Sequence, residues 1–134
     1  MKSMSKKSYT GINIQWPISQ DILSGKKTIE TRTYKFPEKY LGQELLIIET
    51  PGKLGKFKSR IVGKIIFSDS FKYESKKAFY EDQERHFVDK NSPWAWTEKA
   101  KWGWEIDSVI VFKDAKPLNK RPGIAFTTNI KLLV

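Results

Sequence analysis

Apolar and polar side chains alternate from Gly11 to Gln15 (GINIQ), the period-two signature of a half-buried strand, and Trp16-Pro17 interrupts the run. From Pro17 to Ser24 (PISQDILS) the period changes. Proline stands at a first helical position, Ile18, Ile22 and Leu23 share one side, and Gly25 follows where a left-handed residue closes a helix. A connection through Tyr34 to Gly42 leads to two apolar, β-branched runs, Leu45 to Glu49 (LLIIE) and Ile61 to Phe67 (IVGKIIF), which predict core strands. Between them lies the Gly- and Lys-rich stretch PGKLGKFKSR, predicted as a mobile basic loop.

Ser75 to Val88 (SKKAFYEDQERHFV) predicts a helix with Ser75 as N-cap and Ala78, Phe79 and Phe87 as its apolar positions, and Ser92-Pro93 predicts the start of another short one. The clearest strand signal is Trp102 to Phe112 (WGWEIDSVIVF), where Trp102, Trp104, Ile106, Ile110 and Phe112 fall on one expected interior face. Pro117 to Pro122 reads as a basic connection and Ile130 to Val134 as a last strand. Short strands at irregular spacing with helices between them predict an α+β domain built on a mostly antiparallel sheet or barrel.

Length and composition narrow the class. The 134 residues, 39% hydrophobic and 13% aromatic, suit one packed core, so a single domain is expected over residues 9–134 behind a disordered basic tail, residues 1–8. The chain has no Cys, which excludes disulfides, thiol nucleophiles and thiolate metal sites and fits a reducing compartment. No stretch resembles a signal-peptide core or approaches the roughly 18 apolar residues of a membrane span, so a soluble cytoplasmic protein is expected, monomeric by default.

The net charge is +10, and all but four of the 25 basic residues are Lys, the others being Arg32, Arg60, Arg85 and Arg121. Lys meets phosphate as a point charge, whereas Arg supplies the planar fork that reads base edges. With a nucleic-acid partner, such a composition favours backbone or shape contacts over direct base readout. Lys53, Lys56, Lys58, Arg60 and Lys64 occupy a stretch without a carboxylate, and Lys113, Lys116, Lys120 and Arg121 form a second cluster. Both read equally as a phosphate-tracking rim or as ordinary solvated loops.

Gly25-Lys26-Lys27-Thr28-Ile29-Glu30-Thr31-Arg32 resembles the G-x-K-x-x-E-x-R signature of ASCH domains, in its usual place after the first helix. The strand ending Ile48-Glu49-Thr50 and the late segment WGWEIDSVIVFKDAKPLNKRPGIAF resemble the family too, so the likeness covers most of Gly11 to Phe126; the insert Ser75 to Lys101 matches poorly. The resemblance implies a PUA-like β-barrel of about five to six strands with two to three short helices. It also implies relatives in RNA binding and translation, and one branch that hydrolyses the acyl amide of acylated cytidine with a motif Lys, a motif Thr and a Glu from elsewhere. Lys27 stands at that Lys, but Glu30 stands where that branch has Thr.

In a regular strand Glu30 and Arg32 point to one face and Lys27 to the other, so the three converge only if Lys26 to Thr28 forms a turn or bulge after Gly25. Converged, Lys27 suits a phosphate or, desolvated, acts as base or nucleophile; Glu30 accepts from an exocyclic amine or positions water; Arg32 grips an anion. The plain alternative is a Glu30–Arg32 ion pair bracing the barrel beside a solvated Lys27. Trp16 and Trp102, at strand ends, are candidate stacking surfaces, Trp104 is core, and Trp94 and Trp96 remain open.

His86 is the only His, and without Cys nearby it argues against a metal site; no cofactor is implied. Three functions stay open. The leading one is a module that binds RNA, another single-stranded nucleic acid or a modified nucleoside through a cleft lined by Lys27, Glu30 and Arg32. The second is a hydrolase acting on a modified nucleoside or on RNA, with Lys27 and Glu30 as the chemical pair and Glu81 or Glu84 as a candidate third group. The third is a protein-interaction domain that uses the Trp-rich stretch Pro93 to Trp104.

Overall fold

In the computed structural model the described residues are 6–133. Strand β1 spans Lys6–Gln15, helix α1 Ile18–Leu23, β2 Ile29–Arg32, β3 Leu45–Thr50 and β4 Arg60–Lys72. Helices α2 (Lys76–Glu81) and α3 (Gln83–His86) precede the long β5 (Trp102–Pro117) and β6 (Phe126–Leu133), and a single 3-10 turn covers Glu38–Tyr40. The strands lie in one sheet in the order β2-β5-β4-β3-β1-β6. It is mostly antiparallel, β1 with β3 being the parallel pair. The sheet is not closed: β2 and β6 are its edges among the described residues, which fits the expected α+β class without a sealed barrel.

Several elements depart from the sequence expectation. Residues 6–8, expected in the disordered tail, open β1 and pair with β6, Lys6 opposite Leu133 and Ser8 opposite Lys131; the rest of the tail lies outside the described residues. Partner strands extended these elements beyond what local alternation signals. The helix expected over 75–88 breaks at Asp82, although Ser75 does cap it by accepting from the Ala78 N–H at 3.0 Å. No helix forms at Ser92-Pro93; instead the Ser92 hydroxyl accepts from the Trp94 N–H in a local turn, the competing use of a serine side chain.

The chain clusters into two compact units, the described parts of 1–20, 44–65 and 110–134 forming the first, and 21–43 with 66–109 the second. In the first, Tyr9, Leu46, Ile48, Ile61 and Ile130 form a core on which Phe112, Leu118 and Leu132 pack. A Cβ on Gly11 would stand 2.6 Å from an Ile48 side-chain carbon, so any larger residue would force the buried Ile48 side chain to shift. In the second unit, Tyr73, Phe79 and Val88 form one cluster, and Trp104, fully buried, sits edge-on to Tyr34, Phe36 and Phe67. The expected inward face of β5 is interrupted at Ile110, which is 52% exposed, and resumes at Phe112.

Candidate functional site

Gly25 takes φ +83°, as its place after α1 suggests, and turns the chain so that residues 26–28 are not strand. Three backbone bonds pin this turn within the second unit: Lys27 N–H to Asp21 O, Thr28 N–H to Arg85 O, and Ile106 N–H to Thr28 O. The break in period two brings Lys27 round to the side of Glu30. In the register of β2 with β5, Glu30 faces Trp104 and Arg32 faces Trp102, so these four side chains share one face.

The result is a chain of three charges. The Lys27 Nζ is 3.6 Å from Glu30 Oε1 and donates to the His86 carbonyl. Arg32 donates from Nε and Nη2 to Glu30 Oε2 at 3.1 and 2.9 Å, and the Thr31 N–H donates to Oε1 at 3.2 Å. The Arg32 guanidinium lies 5.2 Å from the Trp104 ring centroid, within cation–π range. Lys27 and Glu30 are only 3% and 6% exposed.

Burial pulls the Lys27 ammonium below the ordinary lysine range, although Glu30 beside it favours the charge. Burial pushes Glu30 the other way, but the Arg32 and Lys27 charges outweigh it and hold the carboxyl below its usual range. Arg32 resists its own burial because Glu30 supports its charge. The Lys27–Glu30–Arg32 cluster is thus an ionised pair, Glu30 with Arg32, and an amine whose proton is held less firmly than usual.

Both alternatives raised by the sequence need revision. Lys27 is not solvated, so the simple bracing pair is incomplete. Glu30 is already ringed by three donors, so it accepts from an incoming amine only if Arg32 or Lys27 releases it. Trp102 is half-buried opposite Arg32, whereas Trp16 stands edge-on to Phe57 at 6.3 Å in the first unit.

Sequence reasoning weighed His86 only for its ring. Its backbone carbonyl, 59 residues along the chain, is what fixes the Lys27 amine. The Val88 N–H donates to His86 Nδ1 at 3.0 Å, so Nε2 carries the proton and donates it to Phe79 O at 2.6 Å. The ring is stacked on Phe79 at 4.1 Å, and burial lowers its pKa, so it is a neutral structural group. Nearby, Asp82 accepts from Tyr73 and Arg85, and Arg85 reaches Glu105 at 3.3 Å, which orients α3.

Sequence reasoning missed Glu49, fully buried in the first unit. It accepts from Ser19 Oγ at 2.6 Å, Gln20 Nε2 at 2.6 Å and Arg60 Nε at 2.8 Å. These hydrogen bonds and the Arg60 charge outweigh burial and hold its pKa low. Arg60, its side chain 39% exposed, is therefore engaged by Glu49 and lies over the Phe57 ring at 4.0 Å. Lys64 is likewise bound to Glu44 at 3.1 Å and Tyr9, and Lys120 to the Thr128 carbonyl at 2.7 Å. Lys53, Lys56, Lys58, Lys113, Lys116 and Arg121 are exposed.

An open, mostly antiparallel six-stranded sheet with three short helices and a motif turn behind the first of them defines an ASCH-like fold. The ASCH protein of Zymomonas mobilis is similar over 90% of this chain and 86% of its own, with a TM-score of 0.67 at 15% identity. A tyrosine-to-phenylalanine mutant of that protein is similar over 91% and 90%, TM-score 0.66, at 14% identity. A serine-to-alanine mutant gives 92% and 89%, TM-score 0.63, also at 14% identity. No family model and no curated protein matches the chain. Among the described residues no helix is long and apolar enough to cross a membrane, and no cluster of potential metal ligands occurs.

Proposed function

We propose that the protein binds single-stranded RNA, with backbone phosphates held by the exposed basic side chains and one nucleotide received at Arg32. The observation that carries this reading is the Lys27–Glu30–Arg32 cluster itself. Lys27 and Glu30, both buried, with partly buried Arg32 beside them do little for stability compared with apolar side chains of similar volume, which fits a role in recognition. Arg32, whose side chain is 20% exposed and held by Glu30, offers charge to an anion, and Trp102 opposite it offers a ring on which a base can stack.

Anisotropy titration of labelled single-stranded RNA against the protein at two salt concentrations tests this, with product analysis of each mixture. Neutralising the acid-free loop in Lys53→Gln/Lys56→Gln/Lys58→Gln is expected to reduce the magnitude of the salt slope by about 2, since each contacted phosphate contributes about 0.7 on single strands. Arg32→Ala is expected to weaken binding at both salts. Absence of binding at the lower salt would overturn the reading.

One feature of the cluster favours a second reading, hydrolysis of an acyl amide on a modified nucleoside. The Lys27 amine, held below its usual pKa by burial, is closer than an ordinary lysine to serving as a base or nucleophile at neutral pH. Glu30 occupies the position where hydrolases of this kind place Thr, so Glu30 would position water instead. Product formation that disappears in Lys27→Ala, with RNA affinity retained, would select this reading over the first.

A further inference from the structure

Strand β5 is paired with β2 only along its first residues, from Trp102 opposite Arg32 to Glu105 opposite Ile29, and the last bond on that side is Ile106 N–H to Thr28 O at 3.1 Å. From Asp107 onward no strand flanks that side of β5 among the described residues. The uncovered edge reads Asp107-Ser108-Val109-Ile110-Val111-Phe112-Lys113, with no proline and no charge between its two ends. Ile110 and Val111 are 52% and 54% exposed, and as neighbours they project from opposite faces. Natural edge strands are usually blunted by charge, proline or a bulge, and this one is not.

Because Ile106 directs its N–H toward the β2 side, the N–H and C=O groups of Ser108, Ile110 and Phe112 point toward the same open side in a regular strand. We propose that two copies of this chain associate by antiparallel pairing of these β5 edges about a twofold axis at Ile110. In that register Ile110 faces its own copy, Ser108 faces Phe112, Val109 faces Val111, and Asp107 faces Lys113 at both ends. Outward backbone groups meet outward backbone groups, forming about six hydrogen bonds in three paired positions. Asp107 and Lys113 fall at the non-hydrogen-bonded positions, where opposed Cα atoms are about 4.5 Å apart and side chains are closest. A shift by one residue sets outward groups against inward ones. A shift by two places Asp107 opposite Val111 or Ala115 and loses both ion pairs. The edge is thus self-complementary in hydrogen bonding, apolar cover and charge, as an isologous contact requires.

Light scattering of the full chain over a concentration series, with circular dichroism to verify folding, tests the pairing. The wild type is expected to dimerise reversibly and with modest affinity, the contact being one strand long. Lys113→Asp places like charges opposite each other twice and should weaken the dimer by about tenfold or more, whereas Asp107→Lys/Lys113→Asp should restore it. Since the chain has no Cys, Ile110→Cys should cross-link to its own copy under mild oxidation and Ser108→Cys should not, because opposed Cα atoms at the axis are about 5.5 Å apart, within disulfide reach. A wild type that stays monomeric, a dimer indifferent to Lys113→Asp, or a folded double swap that fails to restore association would each overturn the proposal.

Discussion

Glu30→Gln isolates the energetics of the buried cluster. The substitution keeps the shape and an acceptor for Arg32, but it leaves the Lys27 amine, 3% exposed, with the His86 carbonyl and only the weaker charge of Asp21. Removing one partner of a buried ion pair costs about 3–5 kcal/mol, because the charge left behind is uncompensated. For a domain of this size that corresponds to a fall in Tm of roughly 10–20 °C. The sign with pH follows from the direction of the shift. Glu30 is held below its ordinary pKa in the fold, so its contribution is complete above the unfolded carboxyl value, about 4.3, and is lost as pH falls through the folded value. Protonated Glu30 resembles Gln, so the gap between wild type and variant should close on acidification. Urea unfolding followed by tryptophan fluorescence at neutral and acidic pH reads both quantities, with buried Trp104 as reporter. A loss below about 1 kcal/mol at neutral pH, or a gap that persists in acid, would show that Lys27 and Arg32 do not depend on the carboxylate.

Lys27→Met should behave differently. Below the lowered lysine pKa the fold bears the cost of a buried ammonium, so wild-type stability should rise with pH between that value and about 10.4, the unfolded lysine value, and the variant should lack this rise. A parallel rise in both proteins, measured by urea midpoints, would refute it. The His86 ring should stay neutral with the proton on Nε2 below about pH 6.5, and its penalty against folding should appear only as pH falls below that value; nitrogen NMR showing an ordinary titration would contradict this. Gly25→Ala, at φ +83°, should cost about 1 kcal/mol in thermal unfolding through backbone strain alone, since a Cβ there meets no atom within 4 Å.

The sequence determined those features that depend on a few neighbouring residues. Alternation in GINIQ and WGWEIDSVIVF, the apolar runs LLIIE and IVGKIIF, the serine cap at Ser75 and the glycine after α1 each express a local steric or hydrogen-bonding preference, and each formed where expected. The ASCH-like motif likewise marked Lys27, Glu30 and Arg32 before any contact was known. What the sequence left open was everything set by pairing across long separations. Whether Lys27 meets Glu30 depended on a turn held by Asp21, Arg85 and Ile106, and its partner is a backbone carbonyl on α3 that carries no side-chain signature.

The same reason explains how two of the expected rim cations are engaged. Arg60 and Lys64 look like free cations in a carboxylate-free stretch, yet the β3–β4 register sets Arg60 against Glu49 and Lys64 beside Tyr9 and Glu44. It also explains the lengths of β1, β4 and β5, because a strand continues where a neighbour offers backbone partners regardless of its own pattern. Conversely, the VIVF run of β5 signals strand strongly, but only the short reach of β2 decides that one edge of it is left bare. Periodicity is a property of consecutive residues, whereas counter-charges and edges are properties of the pairing, which no single segment encodes.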